Sequence, residues 1–225
     1  MERGSDPSSV RPAARRRLVA VVPVGSLDEA KSRLGESLDP EERRELAMRL
    51  LERTIAATTR SGAIDETIVV TPDDEVRTIA LAAGARPIRQ RGGGLISGLD
   101  QARDEAVAGG ADAILVLPID LPLVSPGTIA TIVEPYLARE ADDDRPLVVL
   151  VPDRHGRGTN ALLLAPPDAI GFCFGGDSRA AHASNARVSG ARLVELADGP
   201  LALDLDTAED LLLVERLVPE LVGAA

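Results

Sequence analysis

Ala113-Ile-Leu-Val-Leu-Pro-Ile-Asp-Leu-Pro-Leu-Val-Ser-Pro126 passes from an unbroken apolar run to a helix start. Ala113 to Leu117 has the pattern of a strand buried on both faces of a parallel sheet. Pro118 and Pro122 lack backbone N–H groups, so regular pairing stops there. Asp120 lies between them, just past the carboxyl end of the strand. Open α/β sheets bind ligands at that edge. A carboxylate there packs poorly and suits a hard cation such as Mg2+. The competing account is an Asp that only holds a turn. Ser125-Pro126 then caps a helix expected to run to about Arg139.

The same pattern recurs on either side. Leu18 to Val24, Glu66 to Thr71 and Leu147 to Pro152 read as buried strands, with shorter ones at Ala85 to Ile88, Ala161 to Leu164 and Arg192 to Leu196. Helical patterns fall between them. Asp39-Pro40 opens a helix with Leu46, Leu50, Leu51 and Ile55 on one face, ending near Thr59 and Gly62. Others are expected at Pro72 to Ala83, stopped by Gly84, at Ser97 to Val107, at Ser178 to about Arg187, and after Asp206. Alternating strands and helices predict an α/β fold with a mostly parallel central sheet. Residues 1–17 lack periodicity and read as a disordered tail, leaving a single domain over 18–225.

Composition narrows the function. The 225 residues carry a net charge of −11, which argues against wholesale nucleic-acid binding. Aromatics are 1% of the chain, so stacking platforms for single strands are not expected. No apolar run reaches the ~20 residues of a membrane span, and the polar start lacks a signal-peptide core. The single cysteine, Cys173, excludes an internal disulfide and a Cys-rich zinc site. A cytoplasmic protein is the expectation. Charge of this sign does not exclude a small polyanion, because local cations decide its binding.

Five loops hold residues suited to such a ligand. After the first strand, Gly25 to Gly35 contains Lys31, the chain's only lysine, and Arg33. Gly-bearing loops with cations place phosphates well, although surface residues on a short helix read the same way. Arg89-Gln-Arg-Gly-Gly-Gly94 lets backbone approach a ligand closely. Asp153 to Asn160 offers Arg154, Arg157 and Thr159, suited to carboxylate or phosphate, or else a plain hairpin turn. Gly175, Gly176 and Ser178 form a potential anion nest, with Asp177 as N-cap. Asp204 and Asp206 alternate with Leu203 and Leu205, so both carboxylates face one way in an extended segment. Asp206 with Glu209 also fits a helix cap. His155 and His182 read as surface or packing residues, and Ala141 to Arg145 as a solvated acidic linker.

Read together, these segments resemble the 2-phospho-L-lactate guanylyltransferase family, called CofC, of the GT-A-like nucleotidyltransferases. The matching pieces are Pro23-Val24 with Ala30-Lys-Ser-Arg-Leu34, Leu117-Pro-Ile-Asp-Leu-Pro-Leu123, Pro152-Asp-Arg-His-Gly-Arg-Gly-Thr-Asn-Ala-Leu-Leu-Leu164, Phe174-Gly-Gly-Asp-Ser178 and Asp204-Leu-Asp-Thr-Ala-Glu-Asp-Leu211. Two positions depart: Gly25 stands where the family usually has a basic residue, and Asp100 follows Gly98-Leu99 where Asn is common.

The resemblance implies a Rossmann-like three-layer α/β/α fold and attack of an acceptor phosphate on the α-phosphorus of GTP. It implies Mg2+ on Asp120 and Asp206, with or without Asp204, and Lys31 and Arg33 along the triphosphate. The segment from Arg89 to Gly94 would shape the nucleotide pocket. Thr159, Gly175 and Ser178 would hold the acceptor's carboxylate and phosphate, with Arg154 and Arg157 adding positive field. The acceptor would be phosphoenolpyruvate, 2-phospho-L-lactate or 3-phospho-D-glycerate, in a step of coenzyme F-420 biosynthesis; a homodimer is a family-level expectation. The rivals are a nucleotidyltransferase acting on molybdopterin or a sugar phosphate, and a non-catalytic GTP-binding relative.

Overall fold

The computed structural model describes residues 16–27, 32–140, 143–197 and 199–223. Seven strands form one sheet: β1 (Leu18–Pro23), β2 (Glu66–Thr71), β3 (Arg86–Arg89), β4 (Ala113–Val116), β5 (Leu147–Pro152), β6 (Thr159–Ala165) and β7 (Arg192–Glu195). Their order is β3-β2-β1-β4-β6-β5-β7. All pairs are parallel except those made by β6, which runs against both β4 and β5. The helices are α1 (Pro40–Arg60), α2 (Asp74–Ala82), α3 (Leu95–Ala108), α4 (Pro126–Leu137), α5 (Ser178–Val188), α6 (Ala208–Leu217) and α7 (Pro219–Val222).

The layers follow from residue alternation along the strands. Val19, Val21, Ile114 and Val116 face α3 through Leu99, Ala102 and Ala106, and the same cluster takes in Ala186 of α5. Leu18, Leu115 and Leu117 face the other way, onto Ala57 of α1 and Ile129, Val133 and Tyr136 of α4. α2 packs on that second side through Val76 and Ala80, beside Leu51 and Ile55. α6 docks onto α1, where Leu211 and Val214 meet Leu46 and Leu50. Every residue of β4 is fully buried, as its unbroken apolar run predicted.

The order of connections locates the site. The chain builds β2 and β3 on one side of β1 and then places β4 on its other side. Successive connections thus diverge between β1 and β4, the switch point outside whose carboxyl ends open α/β sheets bind ligands. β6 enters the sheet at this same edge, because Val116 pairs with Leu162 and Pro152 with Thr159.

Several boundaries differ from expectation. Arg17, assigned to the tail, is tied to the body. Its N–H donates to Asp112 Oδ2 at 2.7 Å and its guanidinium meets Glu66 at 2.7 Å. Residues 1–15 of that tail, and Ala141 and Asp142 of the acidic linker, lie outside the described residues. β6 begins at Thr159, two residues early, because the 153–158 segment is a hairpin turn in which Arg157 N–H donates to Asp153 Oδ1 at 2.8 Å. No helix among the described residues is long and apolar enough to cross a membrane.

Candidate active site

Asp120 is carried by the segment after β4. Leu121 beside it is fully buried, and Ile119 packs between two core clusters, so its neighbours in sequence pin the half-buried aspartate at the rim. Leu205 N–H donates to the Asp120 carbonyl at 2.8 Å. That bond joins two segments far apart in sequence and sets Asp120 against the Asp204–Asp206 stretch. Leu203 and Leu205 are buried while Asp204 and Asp206 are half-exposed, the alternation expected of an extended segment. Burial raises the pKa of the Asp204 carboxyl above the ordinary range, and the charges of Asp120 and then Asp206 push it the same way.

The helix after these aspartates is capped differently from expectation. Thr207, not Asp206, is the N-cap of α6, and its partner is Asp210, not Glu209. Asp210 is buried and accepts the N–H groups of Asp206 at 3.1 Å and Thr207 at 2.8 Å. Capping therefore leaves the Asp206 carboxylate to other work, and Arg33 meets it at 3.0 Å. Arg154, expected at the substrate, is engaged with Asp210 at 2.6 Å and Glu209 at 3.6 Å. It clamps the hairpin onto α6 and so steadies the aspartate segment. Lys31 lies outside the described residues.

Asn160, which sequence reasoning passed over, is buried and donates to the carbonyls of Leu201 at 2.9 Å and Ala202 at 3.1 Å. It fixes the turn that delivers Asp204, and its amide tempers the rise in that carboxyl's pKa. The signal was present in the quoted run: an Asn at a strand start, amid apolar residues, needs buried partners.

Thr159 precedes it and points to the opposite face of β6. Its Oγ1 lies 3.0 Å from Nδ1 of His182, which is fully buried, the packing alternative of the two expected for it. His182 Nε2 accepts the Cys173 N–H at 2.9 Å, and the ring packs edge-on against Phe174. Ser178 stands four residues before His182, which puts its hydroxyl on the same face of α5. That hydroxyl makes no hydrogen bond among the described residues, while the Ser178 N–H is taken by the Gly175 carbonyl at 3.2 Å. Gly175 has φ of 134°, a conformation that side chains disfavour. Asp177 makes no side-chain cap; its carboxylate pairs with Arg157 at 3.0 Å.

The glycine loop is pre-shaped by two amides. Gln90 Nε2 donates to the carbonyls of Gly92 at 2.7 Å and Gly94 at 2.9 Å, and Gln101 spans Arg91 N–H and the Arg89 carbonyl at 2.9 Å each. A Cβ on Gly98 would come within 2.9 Å of Gln90 Oε1, so a side chain there would push the Gln90 amide aside. Arg89 pairs with Asp74, and Asp100 is matched by Arg103 at 2.9 Å, so its charge is locally balanced.

Asp120, Asp204 and Asp206 therefore converge at the switch point. Among the described residues no three acidic, His or Cys side chains make a ready metal cage. Mg2+ does not need one, because it keeps waters and takes one or two carboxylates with substrate phosphates. Crowded carboxylates, one of them reluctant to ionise, fit such an ion.

A doubly wound sheet with carboxylates at its switch point suits a nucleotidyltransferase. A nucleotidyl transferase structure from Methanothermobacter thermautotrophicus has the same fold, with a TM-score of 0.60 at 22% identity over 92% of this chain and 98% of that one. The guanylyl transferase CofC-like family model matches residues 18–216, and the chain belongs to that family. The chain is 43% identical to the phosphoenolpyruvate guanylyltransferase of Sphaerobacter thermophilus, over 86% of this chain and 90% of that protein. Its identity to the 2-phospho-L-lactate guanylyltransferase of Methanothermobacter thermautotrophicus is 32%, over 85% and 81%.

Proposed function

We propose that the chain transfers GMP from GTP to phosphoenolpyruvate, releasing pyrophosphate, in the cytoplasm where both substrates are available. One observation carries the reading: the Leu205–Asp120 bond that gathers three aspartates at the sheet's switch point. The higher identity to an enzyme named for phosphoenolpyruvate than to one named for 2-phospho-L-lactate supports the choice of acceptor.

In this reaction a phosphate oxygen of the acceptor attacks the α-phosphorus, forming the new P–O bond as the bond to pyrophosphate breaks. Two anions must meet, so the site needs positive charge more than a general base. Asp120 and Asp206, with Asp204, would hold Mg2+, which when bound offsets phosphate charge and orients both reactants. Arg33, with Lys31 four positions along from Leu27, would turn toward the triphosphate. The loop from Arg89 to Gly94, held by Gln90 and Gln101, would shape the nucleotide pocket. The hydroxyls of Thr159 and Ser178, with the backbone at Gly175, would hold the acceptor's anionic end, and Arg157 would add positive field.

Pyrophosphate release measured with GTP, ATP or CTP against phosphoenolpyruvate, 2-phospho-L-lactate and 3-phospho-D-glycerate tests the assignment. GTP with phosphoenolpyruvate should give the highest kcat/KM. Release with none of the pairs, despite GTP binding, would show a non-catalytic relative.

A further inference from the structure

We propose that His182 is a positioning residue that locks the Thr159 hydroxyl as a hydrogen-bond donor aimed at an anionic oxygen of the acceptor. The inference rests on placing the acceptor at Thr159 and Ser178. A backbone N–H can only donate, so the Cys173 N–H at 2.9 Å requires a lone pair on His182 Nε2. The ring proton of the neutral imidazole is then on Nδ1. From there it donates to Thr159 Oγ1 at 3.0 Å. A hydroxyl that already accepts one bond keeps its own proton to give, and no described residue takes it. Burial of the ring, which pushes its pKa down to about 4, keeps this arrangement at neutral pH.

The chain of donors runs one way: Cys173 N–H to His182, His182 to Thr159, Thr159 to the ligand. The Ser178 hydroxyl, on the same helix face as His182, is the second O–H donor proposed for the acceptor's phosphate or carboxylate. A fully ionised oxygen takes such a donor more strongly than the neutral carbonyl of an amide or ester does. Chains of this kind polarise one another, so the Thr159 proton is presented more strongly than that of an isolated hydroxyl.

Two measurements decide the matter. In nitrogen-15 spectra of the wild-type protein at neutral pH, His182 should show a protonated Nδ1 and a bare Nε2. A proton on Nε2 overturns the inference whatever the variants do. In steady-state assays, His182→Gln, which can still meet the Cys173 N–H but not Thr159, should raise the acceptor KM about tenfold and the GTP KM by less than about twofold. His182→Asn, whose amide N–H stands where Nδ1 does, should restore most of the loss, and Thr159→Val should add little to His182→Gln. An unchanged acceptor KM, or an equal rise in both constants, defeats the positioning role. A wild-type chain that releases no pyrophosphate defeats the activity reading instead.

Discussion

Asp204 carries a cost at residue scale. Its pKa is raised, so the folded chain holds that proton more tightly than the unfolded chain does. Ionised Asp204 therefore weakens the fold above its folded pKa, and the penalty vanishes as pH falls below the unfolded value. Asp204→Asn should raise the melting temperature of the metal-free protein and lower turnover, with calorimetry and the pyrophosphate assay as the checks. His182 has the opposite sign of dependence. With its pKa near 4 against 6.5 unfolded, the unfolded state binds more protons between those values. Stability is full above pH 6.5 and falls by about 3 kcal/mol as pH drops toward 4. Urea titrations across that window should show the slope, and His182→Gln should flatten it. Ser178→Ala should raise the acceptor KM more than the GTP KM; the reverse would exchange the two subsites. The aspartates were legible because carboxylates between prolines or alternating with leucines have few structural uses. His182 was not, since its neighbours in sequence are ordinary helix residues and its partners arrive from elsewhere in the chain.

Elements explain why the site is rigid. α6 starts at Thr207, and its capping box with Asp210 closes on Arg154 from the hairpin. Thr207→Ala should cost about 1 kcal/mol, as a lost N-cap does. Asp210→Ala should cost about 3 kcal/mol, because it strands Arg154 and two N–H donors together. Denaturant unfolding measures both, and the Asp210 variant should also need more Mg2+ for half-maximal rate. Had α6 been capped by Asp206, that carboxylate would point into the helix end and not meet Arg33. Sequence pattern found β2 and β5 to the residue, since apolar runs flanked by polar turns leave little latitude. It mistook the cap of α6, where Asp206, Thr207 and Asp210 are all competent and only packing chooses.

At the scale of the whole molecule, the switch between β1 and β4 assembles the site from segments that the sequence keeps apart. The reversed β6 brings Thr159 to the same rim. Strand–helix alternation made the layers and the parallel core predictable. The reversal of β6 was not, because apolar strands buried on both faces look alike in either direction. The family resemblance supplied the role of the rim, and the geometry shows why these residues can share it. An acidic chain of net charge −11 that binds two polyanions must neutralise its own cluster first. The decisive measurement is anomalous diffraction from Mn2+ in crystals grown with a non-hydrolysable GTP analogue. The account predicts a peak within coordination distance of Asp120 and at least one of Asp204 and Asp206, touching the phosphates. A nucleotide bound at this rim with its metal elsewhere, or with no carboxylate of the three near it, would contradict the account.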